Sequence, residues 1–199
     1  MTLRLRPTNW SSCKHIVDSL IAAKALNEAL HFAPEPEIAD VGSGAGFPAL
    51  PIAAALPRAH VTAIDSTSKK IAHVMQTARA CGFTTFTVMS ARAETLGRDP
   101  AYREHYDAVT ARAVARLPIL TELCLPLVKK GGCLLAMKGE TAPQEIADAK
   151  EILRTLGGTA ESCTEYHIPG DERKRYLVLI RKTGPTPQKY PRPYAQIIK

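Results

Sequence analysis

Short apolar runs along the chain are bounded by turn-forming residues, and this pattern predicts buried strands of a parallel sheet. Two more apolar runs near the carboxyl end follow each other with no helical pattern between them, which favours an antiparallel hairpin at the sheet edge. The predicted strands are 38–41, 61–64, 85–89, 106–110 and 133–137, followed by the hairpin strands 159–166 and 176–181.

Between these strands, apolar residues recur at steps of three or four, which predicts amphipathic helices. Asn9 is a candidate N-cap for the first helix, and the segment Ser66–Ser68 offers one for the third. The predicted helices are 9–31, 48–56, the segment from Ser66–Ser68 to Gly82, 117–127 and 145–156. The alternation predicts a doubly wound, Rossmann-like α/β sheet, mostly parallel, with an N-terminal helix.

The segment Asp40–Phe47 carries three glycines directly behind a predicted strand and ahead of a predicted helix. Such a turn lets the backbone approach a nucleotide-like ligand closely. A dinucleotide-binding loop would need its third glycine at Phe47, whose ring is too bulky there. The form D-x-G-x-G-x-G resembles instead the S-adenosylmethionine loop of Rossmann-like methyltransferases, in which the acidic group can pair with a cationic amino group. The cofactor-binding candidates of this loop are Asp40, Gly42, Gly44 and Gly46.

Residues that follow the strands are candidates for a pocket, because ligands of open parallel sheets lie beyond the carboxyl ends of the strands. Asp65 comes 23 positions after Gly42, close to the spacing at which a carboxylate accepts both hydroxyls of a ribose. The alternatives for Asp65 are a helix N-cap and a surface turn. The segment after the third strand can meet the edge of an adenine. Further cofactor-binding candidates at these ends are Ser66, Thr67, Ala93 and Glu94.

Arg112 follows the fourth strand, at the position that usually faces the transferred group. The Asn or Asp with two prolines of amino-group methyltransferases and the Pro-Cys nucleophile of C5-pyrimidine enzymes are both missing from this segment. Arg112 cannot act as a base at neutral pH, but it can hold a phosphate or the edge of a guanine. A target with its own lone pair, such as N7 of guanine, needs only alignment. Lys138, after the fifth strand, is a second candidate catalytic cation.

Length and cysteine content are those of an ordinary intracellular domain. The 199 residues fit a single methyltransferase domain over 1–199, with a helical segment 1–32, an α/β core 38–182 and a basic, proline-containing tail 183–199. Five scattered cysteines without C-x-x-C spacing favour neither disulfides nor a zinc site, and no metal is expected. With no apolar stretch of eighteen residues, the expected protein is a cytoplasmic monomer without membrane contact.

The net charge of +7 is concentrated at the carboxyl end, where residues 173–199 hold eight Lys or Arg and no Asp or Glu. Such a surface suits a polyanion, most commonly nucleic acid, although a solvated basic tail is the alternative. If this end binds phosphates, removing residues 184–199 should weaken the salt dependence of RNA binding. The RNA-binding candidates are Lys69, Lys70, Arg175, Arg181, Lys182, Lys189 and Arg192.

Over nearly its whole length the chain resembles the bacterial glucose-inhibited division protein B family, the small-subunit ribosomal RNA guanine-N7 methyltransferases. The resemblance implies an S-adenosylmethionine pocket that includes Gly42, Phe47, Asp65, Ala93, Glu94 and Arg112, with Arg112 also near the guanine. It implies 16S ribosomal RNA, or the small subunit, as partner. The matching segments are Lys14–Leu20, Asp40–Pro51, Asp65–Ser66 with Lys69–Lys70, Arg92–Glu94, Ala111–Ala113, Leu135–Gly139 and Tyr176–Arg192.

The chain departs from the family pattern in two ways. Ala49 stands where family members usually have a glycine, and fewer helical residues precede His15 than in relatives. Three other functions stay open at the level of sequence. A methyltransferase could act on a small molecule or a protein, and an RNA-binding or ribosome-assembly module could keep the loop only for its fold. A nicotinamide-dependent dehydrogenase is disfavoured by Phe47.

Overall fold

The computed structural model describes residues 10–31 and 33–199, so the predicted N-cap Asn9 lies outside the described residues. Seven strands of the described chain form one sheet in the order β3-β2-β1-β4-β5-β7-β6. β1 to β5 run parallel, and β7 is antiparallel to both β5 and β6. The strands are β1 Glu37–Val41, β2 His60–Asp65, β3 Phe86–Ser90, β4 Tyr106–Arg112, β5 Val128–Lys138, β6 Gly158–Ile168 and β7 Asp171–Lys182.

Helices cover both faces of this sheet, which confirms the predicted doubly wound fold with a hairpin at one edge. Leu26, Ile52 and Val74 pack on one face from the first three helices, and Leu120 and Leu153 pack on the other face from later ones. The helices are α1 Trp10–Ala29, α2 Ala49–Ala55, α3 Ser68–Ala80, α4 Ala93–Leu96, α5 Leu117–Cys124, α6 Ala142–Thr155 and α7 Tyr194–Ile197.

Several boundaries differ from the predicted ones. The helix predicted over 117–127 ends at Cys124 and continues as the 3-10 turn Leu125–Leu127, because Pro126 lacks the N–H that an α-helix would use. β5 begins at Val128 instead of Cys133, and α6 begins at Ala142 instead of Glu145. The short helices α4 and α7 were not predicted, since a single turn leaves no periodic pattern.

The N-cap of α3 is Thr67, within the predicted segment Ser66–Ser68, but its hydrogen bonding differs from the expected one. No serine or threonine side chain bonds to the helix start. Asp65 Oδ1 accepts the Thr67 N–H instead, at 2.8 Å.

Residues 184–193, with four prolines, have the composition of a loosely ordered segment, but the structure contradicts that expectation. One guanidinium, that of Arg103, donates to the carbonyls of Gly97, Thr186 and Tyr190 at 2.7 to 2.8 Å, which fixes the segment against the body. Ile197 is buried in the core on the face of α5 and α6. Among the helices in the described ranges, none has both the length and the apolar character needed to cross a membrane.

Candidate functional site

The glycine loop, residues 42–46, lies between β1 and α2 at the carboxyl end of the sheet. Its first two amides, of Gly42 and Ser43, donate to the Ile64 carbonyl of the neighbouring strand at 2.8 and 3.0 Å. Gly42 has a φ of +72°, and a Cβ there would lie 2.5 Å from Val114 Cγ2. Only glycine therefore allows β1 to turn this closely past Val114.

Asp65 joins this loop to the end of β2. Its Oδ2 accepts the Gly44 N–H at 3.0 Å, and its Oδ1 accepts the Thr67 N–H at 2.8 Å. A carboxylate offers about four lone-pair sites, so two stay open for hydroxyl donors of a ligand. The N-cap of α3 is Thr67, so the alternative that Asp65 is a helix N-cap is wrong, while its open acceptor sites agree with the predicted ribose contact.

A first cavity of about 170 Å³ opens beside Asp65. It brings together residues that the sequence placed at three different strand ends. Two predicted pocket residues do not line this cavity. Thr67 contacts it only through the bond from its backbone N–H to Asp65, and the Phe47 ring lies beside Arg112 instead. The lining includes Gly42, Asp65, Ser66, Ala93, Glu94 and, from the carboxyl-terminal segment, Tyr194.

Asp40 lies beneath the glycine loop and has no exposed surface. Its Oδ1 accepts the Thr110 hydroxyl at 2.9 Å, and its Oδ2 is buried without a hydrogen-bond partner. Burial raises the pKa of Asp40 to about 6, against the opposing effect of the hydrogen bonds. Asp40 has no exposed surface in this structure, so its pairing with a ligand's amino group stays a prediction. The contact that the structure does show is the bond from Thr110 beneath the loop.

A second cavity of about 270 Å³ lies beyond the ends of β4 and β5. Asp18 of α1, which is 1% exposed, holds its polar groups together. The Asp18 carboxylate accepts hydrogen bonds from Arg112 at 3.1 Å, from Arg175 at 3.4 Å and from the Tyr166 hydroxyl at 2.5 Å. One buried anion thus fixes two guanidinium groups at the wall of this cavity.

Lys138 lines the same cavity but is not a free cation. Its Nζ lies 2.6 Å from Glu145 Oε2 and donates to the Ala115 carbonyl at 2.8 Å. Burial raises the pKa of Glu145, but the hydrogen bonds from Lys138, Thr141 and the Leu117 amide together hold it below its usual range. Lys138 therefore acts on the loop between β4 and α5.

The two cavities are separated by the segment Arg112–Val114, in which Ala113 has a φ of +56°. Such a conformation is uncommon for a residue with a Cβ and concentrates at functional sites. Phe47 lies against this segment, with its ring centroid 5.6 Å from Arg112 Cζ and 5.7 Å from the His15 ring. Burial and the neighbouring Arg112 lower the pKa of His15, which disfavours the charged form of its ring.

The predicted RNA-binding residues differ widely in exposure. Lys182 is fully buried, with its Nζ 3.1 Å from Glu104, so the prediction of an RNA contact for it is wrong. The aliphatic part of the Lys182 side chain can pack in the protein core because the Glu104 carboxylate pairs with its ammonium group. Arg192 is bonded to the buried Glu122.

Arg181 is bonded to Glu161 and to the Ala29 carbonyl, and is only one-fifth exposed. The other three lysines of this set keep more exposed side chains. Lys69, Lys70 and Lys189 are exposed, although Lys70 lies 3.9 Å from Asp65.

Some residues of the second cavity were not singled out from the sequence. Arg173 and Lys174, near the turn of the β6–β7 hairpin, line it and are 71% and 56% exposed. Asp18 and Tyr166 also belong to it, though they are 148 residues apart in sequence. The only signal for Asp18 was its place in the family-like segment beginning at Lys14, since helical periodicity does not pair a carboxylate with a distant arginine.

The sequence model of the GidB family, described as rRNA small subunit methyltransferase G, matches residues 6–176. The chain belongs to this family. It is 44% identical over 179 residues to the family member "Ribosomal RNA small subunit methyltransferase G" of Bacillus licheniformis, covering 90% of this chain and 73% of that one. The family members of the same name from Bacillus subtilis and Listeria monocytogenes are 45% and 44% identical, with the same share of this chain and 73% and 74% of theirs.

The fold of this chain is similar to that of solved methyltransferase structures. TrmN from Thermus thermophilus superposes with a TM-score of 0.63 at 19% identity, over 90% of this chain and 55% of that one. An rRNA methylase from Streptococcus thermophilus gives a TM-score of 0.59 at 18% identity, over 92% of this chain and all of that one. Membership of this methyltransferase family implies the use of S-adenosylmethionine.

Proposed function

We propose that this protein transfers a methyl group from S-adenosylmethionine to N7 of a guanine in 16S ribosomal RNA. The observation that supports it most is the pair of cavities that meet at Arg112–Val114, one beside Asp65 and one lined by cations. Membership of a family whose relatives carry the name ribosomal RNA small subunit methyltransferase G supports the choice of substrate. Residues of one chain line both cavities, which supports a monomer as the active form, and a ribosomal substrate supports a cytoplasmic location.

The first cavity would hold the nucleoside half of the donor. The two open lone-pair sites of Asp65 suit the 2′ and 3′ hydroxyls of a ribose, and Ala93 and Glu94 lie where the adenine edge would be read. The glycine loop would pass the methionine half, with Gly44 held in place by Asp65. The bound donor supplies an electrophilic methyl group on a sulfonium.

The second cavity would hold the target nucleotide. Its two carboxylates among the described lining residues, Asp18 and Glu145, are both bonded to cations, so neither is free to remove a proton. N7 of guanine carries an in-plane lone pair and needs no deprotonation. Arg112 would orient the base, and Lys138 would fix the loop behind it, so that catalysis rests on alignment.

The approach surface for RNA would be the exposed cations around this second cavity. Arg173 and Lys174 extend from the hairpin, and Arg175 lines the cavity itself. Three further exposed cations, Lys69, Lys70 and Lys189, would contact phosphates farther from the target base. Such contacts supply most of the affinity for nucleic acid and make it salt-dependent.

Tritiated methyl transfer tests this function. The purified protein is incubated with labelled S-adenosylmethionine and, separately, with small ribosomal subunits, free 16S RNA, 23S RNA and transfer RNA, with Asp65→Ala as the matched inactive control. The expected result is label in 16S RNA, free or in the subunit, that is released as 7-methylguanosine. RNA binding without transfer would favour the assembly-module alternative, and label in protein alone would favour a protein methyltransferase.

A further inference from the structure

The carboxyl-terminal segment 184–199 contributes a side chain to the cavity that the donor would occupy. Tyr194 lines the first cavity together with Asp65, Ala93 and Glu94. We propose that Tyr194 is a binding residue for the adenine ring of the methyl donor, and that segment 184–199 is a built part of the donor pocket. This inference rests on the proposed use of S-adenosylmethionine.

The chain just before Tyr194 is anchored by a buried ion pair. Glu122 of α5 is 1% exposed, and it accepts the backbone N–H of Arg192 at 2.7 Å and the guanidinium Nη2 at 2.6 Å. A buried carboxylate with a single cationic partner makes that partner costly to move. Arg192 is therefore held two residues before Tyr194.

Further contacts fix the segment on both sides of Tyr194. Arg98 donates to the Pro191 carbonyl at 2.7 Å, and a Cβ placed on Gly97 would lie 3.1 Å from Pro191 Cγ, so the two chains are already in close contact. After Tyr194, Ile197 is 7% exposed in the main core. These contacts on both sides hold the backbone of Tyr194 in a fixed position beside the cavity.

Tyr194 itself keeps room for a planar partner. It is 40% exposed, and its ring lies 5.8 Å from Arg92 Cζ on the chain that follows β3. The residues after Arg92 are Ala93 and Glu94, which lie where the adenine edge would be read. An aromatic ring at this position offers a face on which a purine can stack. Replacing the ring with an aliphatic side chain would remove this stacking interaction.

The same contacts change the role expected for the basic tail. Of its three cations, Arg192 is neutralised by Glu122, while Lys189 lies 5.4 Å from the Tyr190 ring. Removing residues 184–199 would take away a wall of the donor pocket in addition to these charges. A truncation alone would therefore confuse donor binding with RNA binding, and point variants at Tyr194 separate the two.

The test is calorimetric titration of S-adenosylhomocysteine and 5′-methylthioadenosine into the full chain and its Tyr194→Ala, Tyr194→Leu and Tyr194→Phe variants. Stacking energies of about 1–3 kcal/mol per base correspond to an affinity loss of about 5- to 150-fold for the Ala and Leu variants. Methylthioadenosine lacks the amino-acid half but keeps the adenine. Its affinity for the Ala and Leu variants should therefore fall by the same factor. The Phe variant keeps the ring and should stay within about twofold of the parent.

Ile198→Ala is the matched control, because Ile198 is exposed on the same segment and does not line the cavity. It should bind both probes like the parent protein. Thermal unfolding of each variant checks that the segment stays folded, and Tyr194→Leu keeps apolar bulk if the Ala variant does not. Parent-like affinity of a folded Tyr194→Leu variant would overturn the inference while leaving the proposed function intact. Failure of the parent itself to bind S-adenosylhomocysteine would overturn both.

Discussion

Arg112 Nη1 lies 3.1 Å from Oδ2 of Asp18, and this contact joins the end of β4 to the N-terminal helix. The Arg112 side chain is 19% exposed and that of Asp18 only 2%. Because the same carboxylate also receives Arg175 and Tyr166, the direction of the Arg112 guanidinium is set by residues far away in sequence. α1 is thereby a structural part of the second cavity.

Replacing Asp18 with Asn should separate catalysis from donor binding. The change removes the carboxylate partner of Arg112 and leaves Arg175 with Asp171, 2.9 Å away, as its counter-charge. Because the Arg112 guanidinium is only 19% exposed, we expect a stability loss of about 3 kcal/mol and a fall in kcat/KM for RNA of about 100-fold. Affinity for S-adenosylhomocysteine should stay within about threefold. Denaturant unfolding, methyl-transfer kinetics and calorimetry measure the three quantities.

The matched control is Asp148→Asn, which breaks the exposed 2.7 Å pair with Arg116. Exposed pairs contribute about 0–1 kcal/mol, so this variant should resemble the parent in all three assays. Equal effects of the two substitutions on kcat/KM would contradict a positioning role for Asp18.

Asp65→Ala should weaken binding of the donor. The variant loses two charge-assisted acceptors for the ribose, a loss on the order of 2–4 kcal/mol in binding free energy. Asp107→Ala is a suitable control, since Asp107 Oδ2 also accepts a backbone amide, that of Glu37, but lies at the start of β4 away from the cavity. Calorimetry that finds intact donor affinity in Asp65→Ala would show that the ribose binds elsewhere.

The buried Asp40 predicts a specific pH dependence of stability. Its pKa is raised from 3.8 to about 6 in the folded state, so the folded protein prefers the protonated form. The free energy of unfolding should therefore fall as pH rises from about 4 to 6, relative to a variant without this charge. Asp40→Asn should gain stability over the parent by about 2 kcal/mol more at pH 7 than at pH 4.

Urea unfolding of both proteins at several pH values measures this difference. A constant difference between Asp40→Asn and the parent across that range would mean that folding does not raise the pKa of Asp40.

The location of the RNA surface is testable by salt dependence. If Arg173 and Lys174 each contact a phosphate, the double variant Arg173→Ala/Lys174→Ala should reduce the slope of log K against log salt by about 1–2 units. Lys150→Ala is the control, because Lys150 is exposed on α6 and lines neither of the two cavities. Filter binding of 16S RNA at several salt concentrations gives the slopes, and an unchanged slope in the double variant would place the interface elsewhere.

The periodic pattern of apolar residues was sufficient to predict the fold, because each strand and long helix has its own local signature. The first cavity was also largely predictable, since Gly42, Asp65 and Glu94 lie at strand ends that the topology brings together. The state of the charges was not predictable. Whether Lys182 faces water or Glu104 depends on a partner 78 residues away, and no local pattern carries that information.

The nature of the methylated nucleoside tests the central claim most directly. The protein is incubated with small ribosomal subunits that lack the modification and with a donor carrying a deuterated methyl group, and the digested RNA is analysed by chromatography and mass spectrometry against standards methylated at different positions of guanosine. The account predicts one labelled product, 7-methylguanosine, recovered from 16S RNA. Label on N1, N2 or a ribose oxygen would contradict it, because each of those positions must lose a proton that the carboxylates of the second cavity are not free to take.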